Sequence, residues 1–200
     1  MQLHLHHTPQ PWPWGCQYYS LYSLVGDERL LDDVTEANGI RFDERARELG
    51  YLFQYLYAEG TCTVPMPEQV WHKLLGGAEG VTALQGNVGL FLVGVRSHKH
   101  RDVLHTVGLA FRAVSDNELA VQVFDPAAAG EKEYATLAAF LASPYGQVYE
   151  LKQVLDLAQM DLMPRAYGPD AAHVSPTTRQ AWENTLRTIP LTSDAPAVVA

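Results

Sequence analysis

The sequence predicts an α+β fold: an N-terminal helical part packed on an antiparallel β-sheet. Two observations carry this reading. Helix-period segments come first, and strand-like runs joined by a hairpin turn come later, which is an α+β order. The chain has 200 residues, 47% of them hydrophobic and 18% charged, enough to bury a core without disulfide or metal support. One domain over 1–189 follows, with a flexible tail at 190–200, where the residues after Pro190 are small and polar.

The elements follow in order. Leu3 to His7 alternates apolar and polar residues and predicts a short strand. Thr8 to Gly15 is a loop stiffened by Pro9, Pro11 and Pro13. Cys16 to Val25 reads as a helix ended by Gly26-Asp27. Asp43 to Ala58 reads as a longer helix, because Ala46, Leu49, Leu52, Phe53 and Leu56 recur near a 3.6 period and Gly60 follows. Pro67 to Leu75 is a short helix with proline in its first turn and Gly76-Gly77 after it. The period then changes. Val88 to Val95 is a continuous apolar run and predicts a buried strand. Leu104–Val114 and Leu119–Phe124 flank the turn sequence Ser115-Asp116-Asn117-Glu118 and predict a hairpin. Lys132 to Ala142 predicts a helix that stops at Ser143-Pro144. Gln147 to Met163 reads two ways, strand-like in its first half and helix-like in its second. Pro176 to Arg187 predicts a final helix.

Composition narrows the partners. A net charge of −9 with no basic stripe speaks against nucleic acid. No apolar run approaches a membrane span, Val88 to Val95 being about the longest. The opening Met-Gln-Leu-His-Leu-His-His lacks the basic and apolar regions of a signal peptide, so the cytoplasm is the expected location, with leaderless export or delivery into another cell left open. Two cysteines, Cys16 and Cys62, make no disulfide framework, and a bridge between them would consume the more interesting thiol. His4 and His6, or His98, His100 and His105, match no standard zinc spacing, so neither metal nor cofactor is expected. The oligomeric state is not set by these features.

The chemistry concentrates around Cys16. The run Pro9-Gln-Pro-Trp-Pro-Trp-Gly-Cys16 leads a rigid loop straight into a helix. A thiol at a helix N-terminus sits in a positive local potential that favours the thiolate. Gln10, six residues earlier, can swing its amide toward the same point. Downstream, His105 opens one strand of the hairpin and Asp125 closes the other, before Pro126. Thiol, imidazole, carboxylate and amide donor are the parts of a cysteine-nucleophile site. Trp12, Trp14 and Gly15 are the candidate substrate-binding residues, lying in the loop that leads to the thiol.

Strand parity places His105 with Val107, Leu109 and Phe111, and Asp125 with Leu119, Val121 and Val123. Both groups thus continue an apolar strand face, which is expected to meet the helix beginning at Cys16. Register is less direct. A turn centred near 116–117 sets residue 105 opposite roughly 127–129, so a bulge or a diagonal pairing is needed to join His105 to Asp125.

These residues resemble the papain-like cysteine peptidases, most closely the bacterial branch of bacteriocin-processing (double-glycine) peptidases and related papain-like domains. Gln10 and Cys16 look like that family's oxyanion-hole glutamine and nucleophile. Gly89-Leu-Phe-Leu-Val-Gly-Val95 looks like the strand before its histidine. His105-Thr-Val-Gly-Leu-Ala-Phe and Val-Phe-Asp125-Pro126 look like its histidine strand and Asp-Pro ending. The likeness spans residues 1–130, with Gly15 and Gln17 standing where the branch usually has an acidic residue and a glycine. It implies a papain-like fold and a hydrolase with a thiolate–imidazolium pair, an acyl-enzyme, and a peptide or protein substrate. The same site also suits an acyltransferase or a deamidase, and the fold alone suits a non-catalytic binding module.

Overall fold

The computed structural model describes residues 4–32, 34, 41–58, 63–75, 88–97, 103–115 and 118–156. Helices α1 (Cys16–Val25) and α2 (Phe42–Glu48) precede strand β1 (Tyr51–Ala58) and helix α3 (Glu68–Leu75). Strands β2 (Val88–Arg96), β3 (Leu104–Ser115), β4 (Glu118–Phe124) and β5 (Lys132–Tyr134) follow, then helix α4 (Leu137–Leu141) and strand β6 (Val148–Asp156). The architecture is α+β. Among the described residues, six strands form one sheet in the order β1-β6-β2-β3-β4-β5, every neighbouring pair antiparallel. The last of the described strands thus fills the slot between the first two.

The sheet is covered on both faces, which explains why β2 reads as an unbroken apolar run. On one face Phe91, Val93, Val107, Leu109 and Phe111 pack under Trp71 of α3 and Phe140 of α4. On the other, Leu90, Leu92 and Ala110 pack under Leu21 and Leu24 of α1 and Phe42 of α2. Helix α1 therefore lies on the face opposite His105's apolar neighbours, not on the expected one. The reason is steric. Thr106, Gly108 and Ala110 make the even face of β3 shallow, and α1 settles so closely there that a Cβ on Gly108 would lie 3.0 Å from the Ser20 carbonyl oxygen. The bulkier odd face is already filled by aromatic rings.

Three further segments differ from the sequence reading. The expected helix over Asp43–Ala58 ends at Glu48, where Gly50 at φ +94° turns the chain. Tyr51–Ala58 then pairs with β6. Phe53 packs on one face of the sheet and Leu56 on the other, so a strand buried on both sides imitated helical spacing. The expected helix over Lys132–Ala142 splits. Lys132–Tyr134 pairs with β4, and the helix starts only where Thr136 Oγ1 accepts the Ala139 N–H at 3.1 Å. The expected strand over Leu3–His7 is irregular from residue 4 onward. Its N–H groups instead cap α1: His4 donates to Leu24 O at 3.0 Å and His6 to Ser23 O at 3.0 Å.

The hairpin holds, with β3 and β4 as expected and a register irregularity between Ala113 and Ser115. The first half of Gln147–Met163 is strand β6. The expected helix over Pro176–Arg187, the tail, Cys62, His98 and His100 lie outside the described residues.

Candidate functional site

Gly15 starts the site. It takes φ +89°, a left-handed conformation that suits glycine, and a Cβ there would meet Val34 Cγ1 at 2.9 Å. Its carbonyl accepts the Tyr19 N–H at 3.1 Å, and Cys16 becomes the first residue of α1. One turn later the buried Ser20 hydroxyl donates to the Thr106 carbonyl at 2.9 Å. That bond fixes the start of the helix against the start of β3, beside His105.

The Cys16 thiol is free, and it lies close enough to the His105 ring for that ring to lower its pKa. The backbone and side chain of Thr106 act on the sulfur in the same direction. His105 Nε2 lies 2.6 Å from Asp125 Oδ1, which leaves Nδ1 as the nitrogen that meets the sulfur. The Asp125 carboxylate is fully engaged. Oδ1 also accepts the Ala127 N–H at 2.8 Å, and Oδ2 accepts the Tyr145 hydroxyl at 2.8 Å. The Asp125 main-chain carbonyl faces His7 Nε2 at 3.0 Å. In strand terms, Gly108 opposes Phe124, so position 125 lies opposite Val107 and His105 reaches Asp125 along the diagonal. No bulge intervenes at this end.

The electrostatics follow from these contacts. Burial works against a charged His105 ring, but hydrogen bonds and charge from Asp125 and Cys16 outweigh it and push the ring up to about 9. Burial also works against a Cys16 thiolate. The His105 hydrogen bond, the Thr106 N–H and the imidazolium charge overcome it and lower the thiol. Asp125 is likewise lowered against its burial, chiefly by His105, with Ala127 and Tyr145 contributing. All three shifts favour one charge state: thiolate, imidazolium, carboxylate.

Gln10 is placed nearby by its backbone, whose N–H donates to Pro126 O at 2.8 Å. Its side chain turns onto its own loop, Nε2 donating to Trp12 O at 2.8 Å, while Oε1 is buried with no hydrogen-bond partner among the described residues. Trp12 and Trp14 stand out from the loop, 48% and 36% exposed, their rings 6.3 Å apart and 14° from parallel. The structure thus brings Cys16, His105 and Asp125 together and ties Gln10 to the Asp125 loop through its backbone, with the two indoles on the connecting loop.

Sequence reasoning missed Thr106, Tyr145 and His7. Thr106 had a signal, being the hydroxyl residue next to His105 at the start of the strand. Tyr145 had none, since Ser143-Pro144-Tyr145-Gly146 reads simply as a helix stop. Among the described residues, no cluster of metal-ligating side chains is present, and no helix is long and apolar enough to cross a membrane. No protein-family model and no curated protein matches the chain.

Proposed function

We propose that this protein is a papain-like cysteine hydrolase that cleaves peptide bonds through an acyl-enzyme. The observation that carries the reading is His105 held 2.6 Å from Asp125 and beside the Cys16 thiol at the start of α1. The antiparallel α+β architecture, with the cysteine at a helix start and the histidine and aspartate on adjoining strands, is compatible with a papain-like fold.

The chemistry follows from the favoured charge state. The Cys16 thiolate attacks the scissile carbonyl carbon, and the carbonyl electrons move onto oxygen. The Cys16 backbone N–H, at the helix start, and a Gln10 N–H are the donors for that oxyanion. His105 gives its Nδ1 proton to the departing amine as the carbon–nitrogen bond breaks, leaving a thioester on Cys16. Neutral His105 then takes a proton from water, which attacks the thioester and restores the thiolate–imidazolium pair. Asp125 stays ionised and keeps the ring turned toward the sulfur. The exposed indoles of Trp12 and Trp14 supply an apolar surface for the substrate chain. A reducing cytoplasm would preserve the free thiol.

The test uses iodoacetamide labelling read by mass spectrometry beside turnover of a mixed peptide library. Cys16 in the native protein is expected to label fast near neutral pH, and Cys16→Ala to lose all turnover while keeping its unfolding temperature. Full turnover in that variant would end the cysteine-enzyme reading.

A further inference from the structure

We propose that Tyr145 is a positioning residue of the site, acting through Asp125 to hold the His105 ring in line with Cys16. The inference rests on the cysteine-hydrolase reading.

The Asp125 side chain is 9% exposed, so each carboxylate oxygen needs a protein donor. Oδ1 has two, His105 and the Ala127 N–H. Among the described hydrogen bonds, Oδ2 has only the Tyr145 hydroxyl. A carboxylate held by one oxygen can rotate about its last torsion, and that rotation carries Oδ1 away from His105. Tyr145 closes this freedom from the far side.

The turn bearing Tyr145 is built to a fixed shape. Ser143 Oγ accepts the Tyr145 N–H at 3.2 Å, and the Gly146 N–H returns to Ser143 O at 3.0 Å. A Cβ on Gly146 would lie 2.2 Å from the Leu141 carbonyl oxygen, so the turn presses against the end of α4 with no room for a side chain. Lys132 Nζ sits 5.1 Å from the centroid of the Tyr145 ring. A cation over the ring makes the phenol a stronger donor toward an anion. The arrangement runs from the edge strand β5 to the thiol: Lys132, Tyr145, Asp125, His105, Cys16.

Losing the Tyr145 hydroxyl leaves Oδ2 buried and unpaired. The carboxylate then rotates off His105 or takes up a proton. In either case the imidazolium loses its counter-charge, and the thiolate loses the imidazolium. The test measures Cys16 alkylation by iodoacetamide against pH in the full chain, for wild type, Tyr145→Phe, Asp125→Ala and the double variant, with unfolding temperatures recorded alongside. In Tyr145→Phe the alkylation inflection is expected to rise by roughly half a unit to one unit, and turnover to fall on the order of tenfold in kcat with KM unchanged. In the Asp125→Ala background the same change is expected to do nothing, because its intermediary is gone.

A Tyr145→Phe inflection equal to or below wild type overturns the inference, and so does a shift that persists undiminished without Asp125. If Tyr145→Phe unfolds, Lys132→Met is measured in its place, and an upward shift of the inflection is again required. If wild-type Cys16 itself titrates like an ordinary thiol, the hydrolase reading fails first and this inference falls with it.

Discussion

His105 and Asp125 are diagonal neighbours at the end of β3 and β4, joined at 2.6 Å just beyond the last paired residues, Gly108 and Phe124. Diagonal placement suits this pair. Directly opposed side chains stand side by side, whereas the diagonal lets the carboxylate approach the far nitrogen of the ring and leaves the near one for Cys16.

Asp125→Asn is expected to reduce turnover less than His105→Ala, because an amide still accepts from one neighbour and the base has no substitute. It also carries a stability cost of about 1–3 kcal/mol, since the hydrogen bonds from His105 and Ala127 lose their charged acceptor, while the new NH2 can donate to the Tyr145 hydroxyl oxygen. Turnover and urea unfolding on the two variants check both statements. Equal residual activity would point to a different base.

The pH dependence has two parts. Turnover is expected to rise with pH as the lowered Cys16 thiol ionises and to fall as His105 loses its proton around 9. Stability follows the opposite logic for each partner. His105 is raised from 6.5, so its contribution is complete below that value and is lost as pH rises through about 9. Asp125 is lowered from 3.8, so its contribution is present above that value and is lost as pH falls through its depressed folded-state pKa. The unfolding free-energy gap between wild type and His105→Ala is therefore expected to be wider near pH 6 than near pH 10. A gap that stays constant shows the ring is not held as its cation.

Gln10→Ala is expected to lower kcat on the order of 10²–10³ with a smaller effect on KM, as for the loss of one oxyanion donor. Its Nε2 donates to Trp12 O, which fixes the amide's orientation but uses only one of its two N–H groups. Gln17→Ala is the control, since Gln17 lies inside α1 past the thiol. Damage from Gln17 instead would relocate the oxyanion donors.

Gly108→Val is expected to destabilise the fold by about 1–3 kcal/mol, because its Cβ would press on Ser20 O at 3.0 Å and Leu24 Cγ at 3.2 Å. The displaced helix carries Cys16 with it, so labelling of Cys16 slows as well. Circular dichroism melts and labelling rates on one preparation test the coupling. Native labelling in a destabilised variant would mean α1 shifts without moving its first turn.

The hairpin, the buried strand and the positions of Cys16, His105 and Asp125 were legible because each depends on local pattern: a proline-stiffened loop into a helix, strand parity and turn residues. Counting outward from the turn called for a bulge or a diagonal pairing, and the structure has the diagonal. The face occupied by α1 was not legible, because it depends on how small Thr106, Gly108 and Ala110 are relative to Val107, Leu109 and Phe111, a comparison between layers. Tyr51–Ala58 misled because burial on both faces of a strand removes the alternation that marks one. Tyr145 was invisible because its meaning lies entirely in a contact across 20 residues of sequence.

The two faces of the sheet meet at this site and nowhere else in its chemistry. The sulfur rides on the layer of α1, and the imidazole with its aspartate and tyrosine belongs to the layer beneath Trp71 and Phe140. The gap between Cys16 and His105 is thus a caliper on the thickness of the whole sandwich. Trimming a side chain in either core, Phe140 or Leu21 for instance, changes that reading from a distance. Such variants should lose turnover at temperatures where circular dichroism still reports an intact sheet, so that the reaction itself becomes the most sensitive gauge of how tightly the two layers are clamped.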